Sequence, residues 1–237
     1  MIRILSADTS TSISTIAVCE GEADATANTR VLSEMVVECR RLHAERLIAS
    51  IDWLLNEAGL ALNDINALAI SIGPGSFTGL RIGAATWKGL ALARDLPLVA
   101  VPTLDALTRN AYFLDATVCA VLDARMKEVY GAWFQSGNGV ILRLSSDQAL
   151  PPGKLIEGVK GPSIFFGSGA IRYRRQIVEA LGERALFPPE EIMGARASTV
   201  GRLALKKFLA GEVDDLASLE PLYIRQAQAV VARSKKT

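Results

Sequence analysis

Hydrophobic and polar positions along this chain change period several times, and the changes mark its elements. In "HAERLIASIDWLLNEAG" (43–59), Leu47, Ile51, Leu54, Leu55 and Ala58 share one face, which predicts an amphipathic helix that stops at Gly59. Upstream, "IRILSADTSTSISTIAVCEGE" (2–22) predicts two strands around the polar turn Asp8-Thr9-Ser10-Thr11. In the second of them Ile13, Thr15, Ala17 and Cys19 alternate with Ser14, Ile16, Val18 and Glu20. Short apolar runs at "ALAISIG" (67–73) and "PLVAVPT" (97–103) predict buried strands.

Between those two strands lies "GPGSFTGLRIGAATWKGLALARD" (73–95), a glycine-rich turn opening a helix. On a helical wheel Thr78, Arg81 and Lys88 form one narrow polar stripe, and the rest is apolar or small. A helix apolar around most of its circumference needs cover on more than one side. Either it is wholly internal, or its second side meets another protein. Gly79 and Gly83, four apart, offer a place where a partner helix backbone could approach. Trp53, off the apolar stripe of the preceding helix, is a candidate interface anchor.

Near residue 117 the pattern restarts. "TVCAVLDARMKEVYGAWFQSGNG" (117–139) is again strand, acidic turn and strand, with Asp123 standing where Asp8 stood. Helical patterns follow at "GAIRYRRQIVEALG" and "STVGRLALKKFLAGE". This predicts a duplicated α/β protein of two lobes, the layout of the actin, sugar-kinase and heat-shock ATPase class. The lobes are expected at 1–108 and 109–225, the last segment possible as a return to the first lobe, and 226–237 as a loosely ordered tail.

Composition narrows the chemistry. Half of the 237 residues are hydrophobic, enough for a substantial core. Lys plus Arg (26) nearly balance Asp plus Glu (25), so no global field favours nucleic acid. Three separated cysteines without a CxxC pair fit reduced thiols in a cytoplasmic protein. The N-terminal stretch does not read as a signal peptide, and no apolar run approaches the ~20 residues of a membrane span.

Candidate chemistry is sparse. The single histidine, His43, excludes a histidine-rich metal site. Ser76 is flanked by Pro74 and Thr78 where a nucleophile elbow needs glycines, and no Walker lysine follows a glycine loop. Asp8, Thr9 and Ser10, with Asp123 opposite and Gly167 and Gly169 near the base, could flank a nucleotide; these same residue types also simply make turns. A nucleotide-binding or ATP-hydrolysing enzyme using this cleft is therefore the alternative reading. Arg172, Arg174 and Arg175 form a small basic cluster best read as a solvated helix face.

The blocks "DTSTS", "HAERL", "GPGSFTGLRIG", "VPTLDAL", "DARMKEVY" and "EPLYIR", in this order over nearly the whole chain, resemble the bacterial TsaB (YeaZ) family. The resemblance implies a role in forming threonylcarbamoyladenosine beside the tRNA anticodon. It implies a non-catalytic partner of the transferase TsaD, working with the ATPase TsaE, homodimeric when alone and reaching tRNA only through the complex. It implies no cofactor. It places the dimer interface on the two helices near His43 and Thr78, with His43, Leu47, Trp53, Thr78, Gly79, Arg81, Ile82, Gly83, Thr86 and Trp87 as candidate contacts. TsaD-like chains carry two metal-binding histidines four residues apart after the strand matching "PLVAV"; here Thr103 and Leu107 stand at those places.

Overall fold

A computed structural model describes residues 1–22, 29–38 and 44–224. The expected tail and His43 lie outside the described residues. The chain opens with β1 (Ile2–Asp8), β2 (Ile13–Gly21) and β3 (Arg30–Glu38), then α1 (Ala44–Glu57), β4 (Ala67–Ser71), α2 (Phe77–Arg94) and β5 (Leu98–Val101). These five strands form one sheet in the order β3-β2-β1-β4-β5. β1 runs antiparallel to β2, pairing Asp8 with Thr15, and parallel to β4.

After α3 (Thr103–Thr108) the second sheet begins with β6 (Ala116–Arg125), β7 (Glu128–Gly137), β8 (Val140–Arg143) and the short β9 (Gln148–Leu150). Then come α4 (Pro152–Leu155), β10 (Ser163–Phe166), α5 (Ser168–Arg172), α6 (Arg174–Leu181), β11 (Ala185–Leu186) and α7 (Ala197–Leu209). Read from β8, the second order is β8-β7-β6-β10-β11, which repeats the first sheet strand for strand, with β9 added beside β7. The antiparallel and parallel pairings repeat as well. The duplication expected from the two acidic turns is thus a duplication of whole sheets.

β1 and β4 are buried on both faces over residues 4–8 and 67–71, which accounts for their apolar runs at 4–5 and 67–70. On one face Leu5, Ile16, Val18, Leu68 and Ile70 pack beneath Leu47, Ile51 and Leu54 of α1 and Trp87 and Ala91 of α2. On the other, Ile4, Ala69, Val99 and Val101 meet Val200, Ala204 and Leu205 of α7. So the last helix returns to the first lobe. Its start is fixed there by Glu34 of β3, which accepts from the Ser198 amide (3.0 Å) and pairs with Arg196 (2.8 Å). α3 goes the other way: Leu104 and Leu107 enter the second lobe's core with Val118, Leu122, Phe134 and Phe166. Each sheet is covered by a helix contributed from the other half of the duplication.

Two local expectations differ from the fold. The single helix read over 169–182 is two, α5 and α6, meeting at Tyr173. β3 and β10 lacked a period-2 or length signal: β3 is a half-exposed edge strand, and β10 is only four residues long.

Candidate functional site

The glycine-rich loop before α2 closes onto the β1–β2 turn of its own lobe. Ser76 caps the helix by accepting from the Gly79 amide (3.3 Å), while its own amide donates to the Ser10 carbonyl (2.6 Å). The Thr9 hydroxyl donates to the Gly79 carbonyl (2.9 Å). A Cβ at Gly79 would fall closer than 3.0 Å to the Thr9 carbonyl oxygen, and one at Gly83 equally close to the Thr9 hydroxyl. Gly75 stands against Ser10 in the same way. This corrects the reading of Gly79 and Gly83 as partner contacts. They face inward, and the backbone they admit is that of the Asp8–Ser10 turn.

That turn is sealed. Asp8 is 1% exposed, and Oδ1 accepts from the Ser10 amide (3.1 Å) and hydroxyl (2.9 Å). Burial pushes the Asp8 pKa up, against the opposing Ser71 and Ser10 hydroxyls. A carboxylate so enclosed presents no open face to a hydrated cation. In the second lobe Asp123 is also engaged: it accepts from the Arg125 amide (3.0 Å) and pairs with Arg172 (3.0 Å). Gly167 and Gly169 lie against Val121 of β6, where a Cβ at either would come closer than 3.0 Å to the Val121 carbonyl or side chain. These glycines therefore serve helix–strand packing, as Gly79 and Gly83 do. Arg175 pairs with Glu179 (2.7 Å) and Arg174 stacks on Phe187 (4.5 Å), so the basic cluster is committed within its own lobe.

The positions of the TsaD histidines are interior. Thr103 and Leu107 are both fully buried. The Thr103 hydroxyl accepts from the Gly73 amide (3.0 Å), and the Thr103 amide donates back to the Gly73 carbonyl (2.8 Å). Leu107 belongs to the second core. A hydroxyl used as an acceptor and an aliphatic side chain supply no imidazole-like donor, and no group of three His, Cys, Asp or Glu side chains suited to a metal occurs among the described residues. The residues present do not fit that metal.

What remains exposed is the outer side of α2. Leu47 and Trp87 are core, the Trp87 indole lying 3.5 Å from the Leu5 carbonyl it donates to, so these two interface candidates are also corrected to interior positions. Thr78 and Arg81 are exposed, and Ile82 and Thr86 half-buried. The outward row continues with Ala85, Gly89 and Leu92, the last 70% exposed. Thr78, Ile82, Ala85, Gly89 and Leu92 are spaced 4, 3, 4, 3, a single helix seam. A Cβ added at Gly89 would meet nothing within 4 Å. At the helix start Arg81 stacks on Phe77 (4.0 Å) and donates to the Tyr223 hydroxyl (3.1 Å), tying the seam to the C-terminal segment. Trp53, 53% exposed, overhangs a groove of about 290 Å³ with Ile16, Met35 and Val37, and no α2 residue lines it.

Sequence reasoning missed Gly89, Ala85 and Leu92. The 4-3-4-3 spacing was visible, but a helix apolar all round gave no sign of which side faced out. No helix among the described residues is long and apolar enough to cross a membrane.

Comparison with known proteins bears on the family and the fold. The family model for TsaD, tRNA N6-adenosine threonylcarbamoyltransferase, matches residues 34–231. The tRNA threonylcarbamoyladenosine biosynthesis protein TsaB of Escherichia coli (strain K12) is 32% identical, with 94% of this chain and 95% of that protein covered. The solved structure of YeaZ from Pseudomonas aeruginosa superposes with a TM-score of 0.78 at 30% identity, covering 94% of this chain and all of the other. Component A of the (R)-2-hydroxyglutaryl-CoA dehydratase of Acidaminococcus fermentans shares the fold alone: TM-score 0.54, 12% identity, 89% of this chain and 100% of that one. The two-lobed α/β fold is that of the actin, sugar-kinase and heat-shock ATPase class, and the chain belongs to the TsaB (YeaZ) family.

Proposed function

We propose that this protein is a non-catalytic subunit of threonylcarbamoyladenosine synthesis, which binds the transferase TsaD through α2 and pairs with itself when TsaD is absent. The observation that carries this is the outward seam of α2. Its 18 residues span ~27 Å. The inner side is sealed against the lobe's own turn and sheet, while the outer side presents small and apolar groups to water with an open notch at Gly89. Small residues along a seam let two helices approach closely, and exposed Leu92, with the half of Ile82 that faces out, gains by being covered. The buried Thr103 and Leu107 support the non-catalytic half of the reading: the chain would order a catalytic partner and leave the transfer to it. TsaE would join the larger complex, and tRNA would be modified by the assembly.

Gly89→Leu tests the seam. Leu is the better helix former by ~1 kcal/mol, so the isolated chain should melt at or above the wild-type temperature. Overpacking a closed helix contact costs ~1–3 kcal/mol, and ~1.4 kcal/mol is a tenfold loss, so TsaD binding measured by calorimetry should weaken by ~5-fold to ~150-fold. Undiminished TsaD binding by the folded variant overturns the seam. Transfer of threonylcarbamoyl to tRNA by a preparation shown to be free of TsaD would overturn the non-catalytic reading.

A further inference from the structure

Several arginines pair with a carboxylate that neutralises them: Arg3 with Glu20, Arg143 with Asp105, Arg172 with Asp123, Arg196 with Glu34. Arg109 and Arg202 differ. Arg109 follows α3 where the chain crosses between lobes, and Arg202 projects from α7. Their guanidinium carbons lie 5.4 and 5.7 Å from the centroid of one ring, Tyr112. Among the described residues neither joins an ion pair. The Arg109 Nε is buried with no hydrogen-bond partner, and Arg202 reaches only the Thr29 carbonyl, at 3.5 Å. Burial and the neighbouring Arg202 both act against the Arg109 charge. Next to them Phe113 meets Tyr112 edge-on (5.9 Å, 86°) and is 67% exposed.

Two cations that converge with no ion-pair partner among the described residues repel each other, and a phosphate between them would remove that repulsion. A bare ring beside a cation pair supplies the stacking platform that an unpaired base requires. An acidic peptide would answer the charges but give Phe113 no planar partner. We propose that Arg109, Tyr112, Phe113 and Arg202 form an RNA contact, the guanidiniums taking a backbone phosphate and Phe113 stacking on an unpaired base. The proposal rests on the reading that the chain works inside a tRNA-modifying assembly. With near-balanced total charge the chain has no long-range field to draw RNA, so this contact acts once the assembly has brought RNA close.

The test is fluorescence anisotropy of a labelled tRNA transcript with the reconstituted pair of this chain and TsaD, at salt between about 50 and 200 mM. Arg109→Gln and Arg202→Gln should each weaken binding severalfold and lower the salt slope by about 1. Phe113→Ala should weaken it ~5-fold or more with the slope unchanged. Because the Phe113 ring is largely in water, its truncation leaves a folded chain even if an arginine variant does not fold. Unchanged affinity in Phe113→Ala and in whichever arginine variants fold overturns the proposal. So does an arginine variant that stays folded but no longer joins TsaD on gel filtration, since the cluster would then be a protein contact. If the wild-type chain fails to join TsaD, the proposed function fails instead, and the same variants titrated on the isolated chain with the transcript decide the RNA contact.

Discussion

The two lobes carry one motif with opposite outcomes. In each, a strand ends in an acidic turn, a parallel strand beside it ends in glycines, and the helix that follows packs those glycines on the first strand's end: on Thr9 and Ser10 in the first lobe, on Val121 and Leu122 in the second. In the first lobe α2 is long and apolar, and it seals Asp8 and Thr9 so that both are fully out of water. In the second, α5 and α6 are short, break at Tyr173 and carry Arg172, Arg174 and Arg175; the turn they border stays open, with Arg125, Met126 and Lys127 exposed. The sealed lobe thereby leaves a long helix face exposed, the face proposed to meet TsaD. In the open lobe the helix surface is spent on local ion pairs. The glycines alone do not tell the two apart, because their job is the same in both.

The comparison breaks most sharply at those glycines. Gly79→Ala puts a methyl group into the Thr9 backbone carbonyl, which cannot step aside without moving β1 and β2. The ~1 kcal/mol gained in helix propensity is outweighed, and we expect a net loss of ~3 kcal/mol in urea unfolding of the isolated chain. Gly169→Ala meets the Val121 side chain first, at 2.7 Å, with the Leu122 backbone carbon at 2.9 Å. The backbone there stands farther off than at Gly79, at 2.9 and 3.0 Å, so this loss should be smaller, ~1–2 kcal/mol. Equal costs would mean that the second turn is as rigidly sealed as the first.

The carboxylates sharpen the contrast next. Burial raises the folded-state pKa of Asp8 above its unfolded value, so its favourable contribution is full below the unfolded pKa and is lost as pH rises through the folded one. Asp8→Asn removes that buried charge while keeping an acceptor for Ser10. The variant should exceed wild type by about 1 kcal/mol at pH 7, the scale of one buried polar group, with the gap closing below pH ~4. Asp123→Asn instead removes a partly exposed pair with Arg172 and should cost about 0.5 kcal/mol. Chemical denaturation across pH checks both; a loss of stability in Asp8→Asn at neutral pH would show that the turn needs the charge.

The strand–turn–strand repeat was legible because its pattern is local: apolar runs, an acidic turn, a second run. The glycine loop was legible as a close approach, but not what approaches. Gly79 and Gly83 lie on the inner side only because β1 ends beside β4, a pairing between residues over 60 positions apart that no local pattern encodes. The crossing of α3 and α7 into opposite lobes is equally non-local, and it alone brings Arg202 to Tyr112 and its local neighbour Arg109. Thr103 and Leu107 could be read as non-ligands from residue type alone. Their burial, and the exchange of hydrogen bonds between Thr103 and Gly73, needed the fold.

The smallest expected effect lies in the open turn itself. Arg125, Met126 and Lys127 are three successive non-glycine residues with positive φ (63°, 52° and 64°), whereas none occurs in the turn after Asp8. Such residues each carry a local conformational cost that asparagine tolerates better than lysine. Lys127 is exposed, and no ion pair involving it occurs among the described residues, so replacing it removes little else. Lys127→Asn should therefore stabilise the isolated chain by ~0.5 kcal/mol, read as a small upward shift in the urea midpoint with the m-value unchanged. A loss of stability would mean that the lysine is held by contacts that outweigh its backbone. The second turn would then be as closely fitted as the first, and the division into a sealed lobe and an open one would reduce to the difference between α2 and the α5–α6 pair.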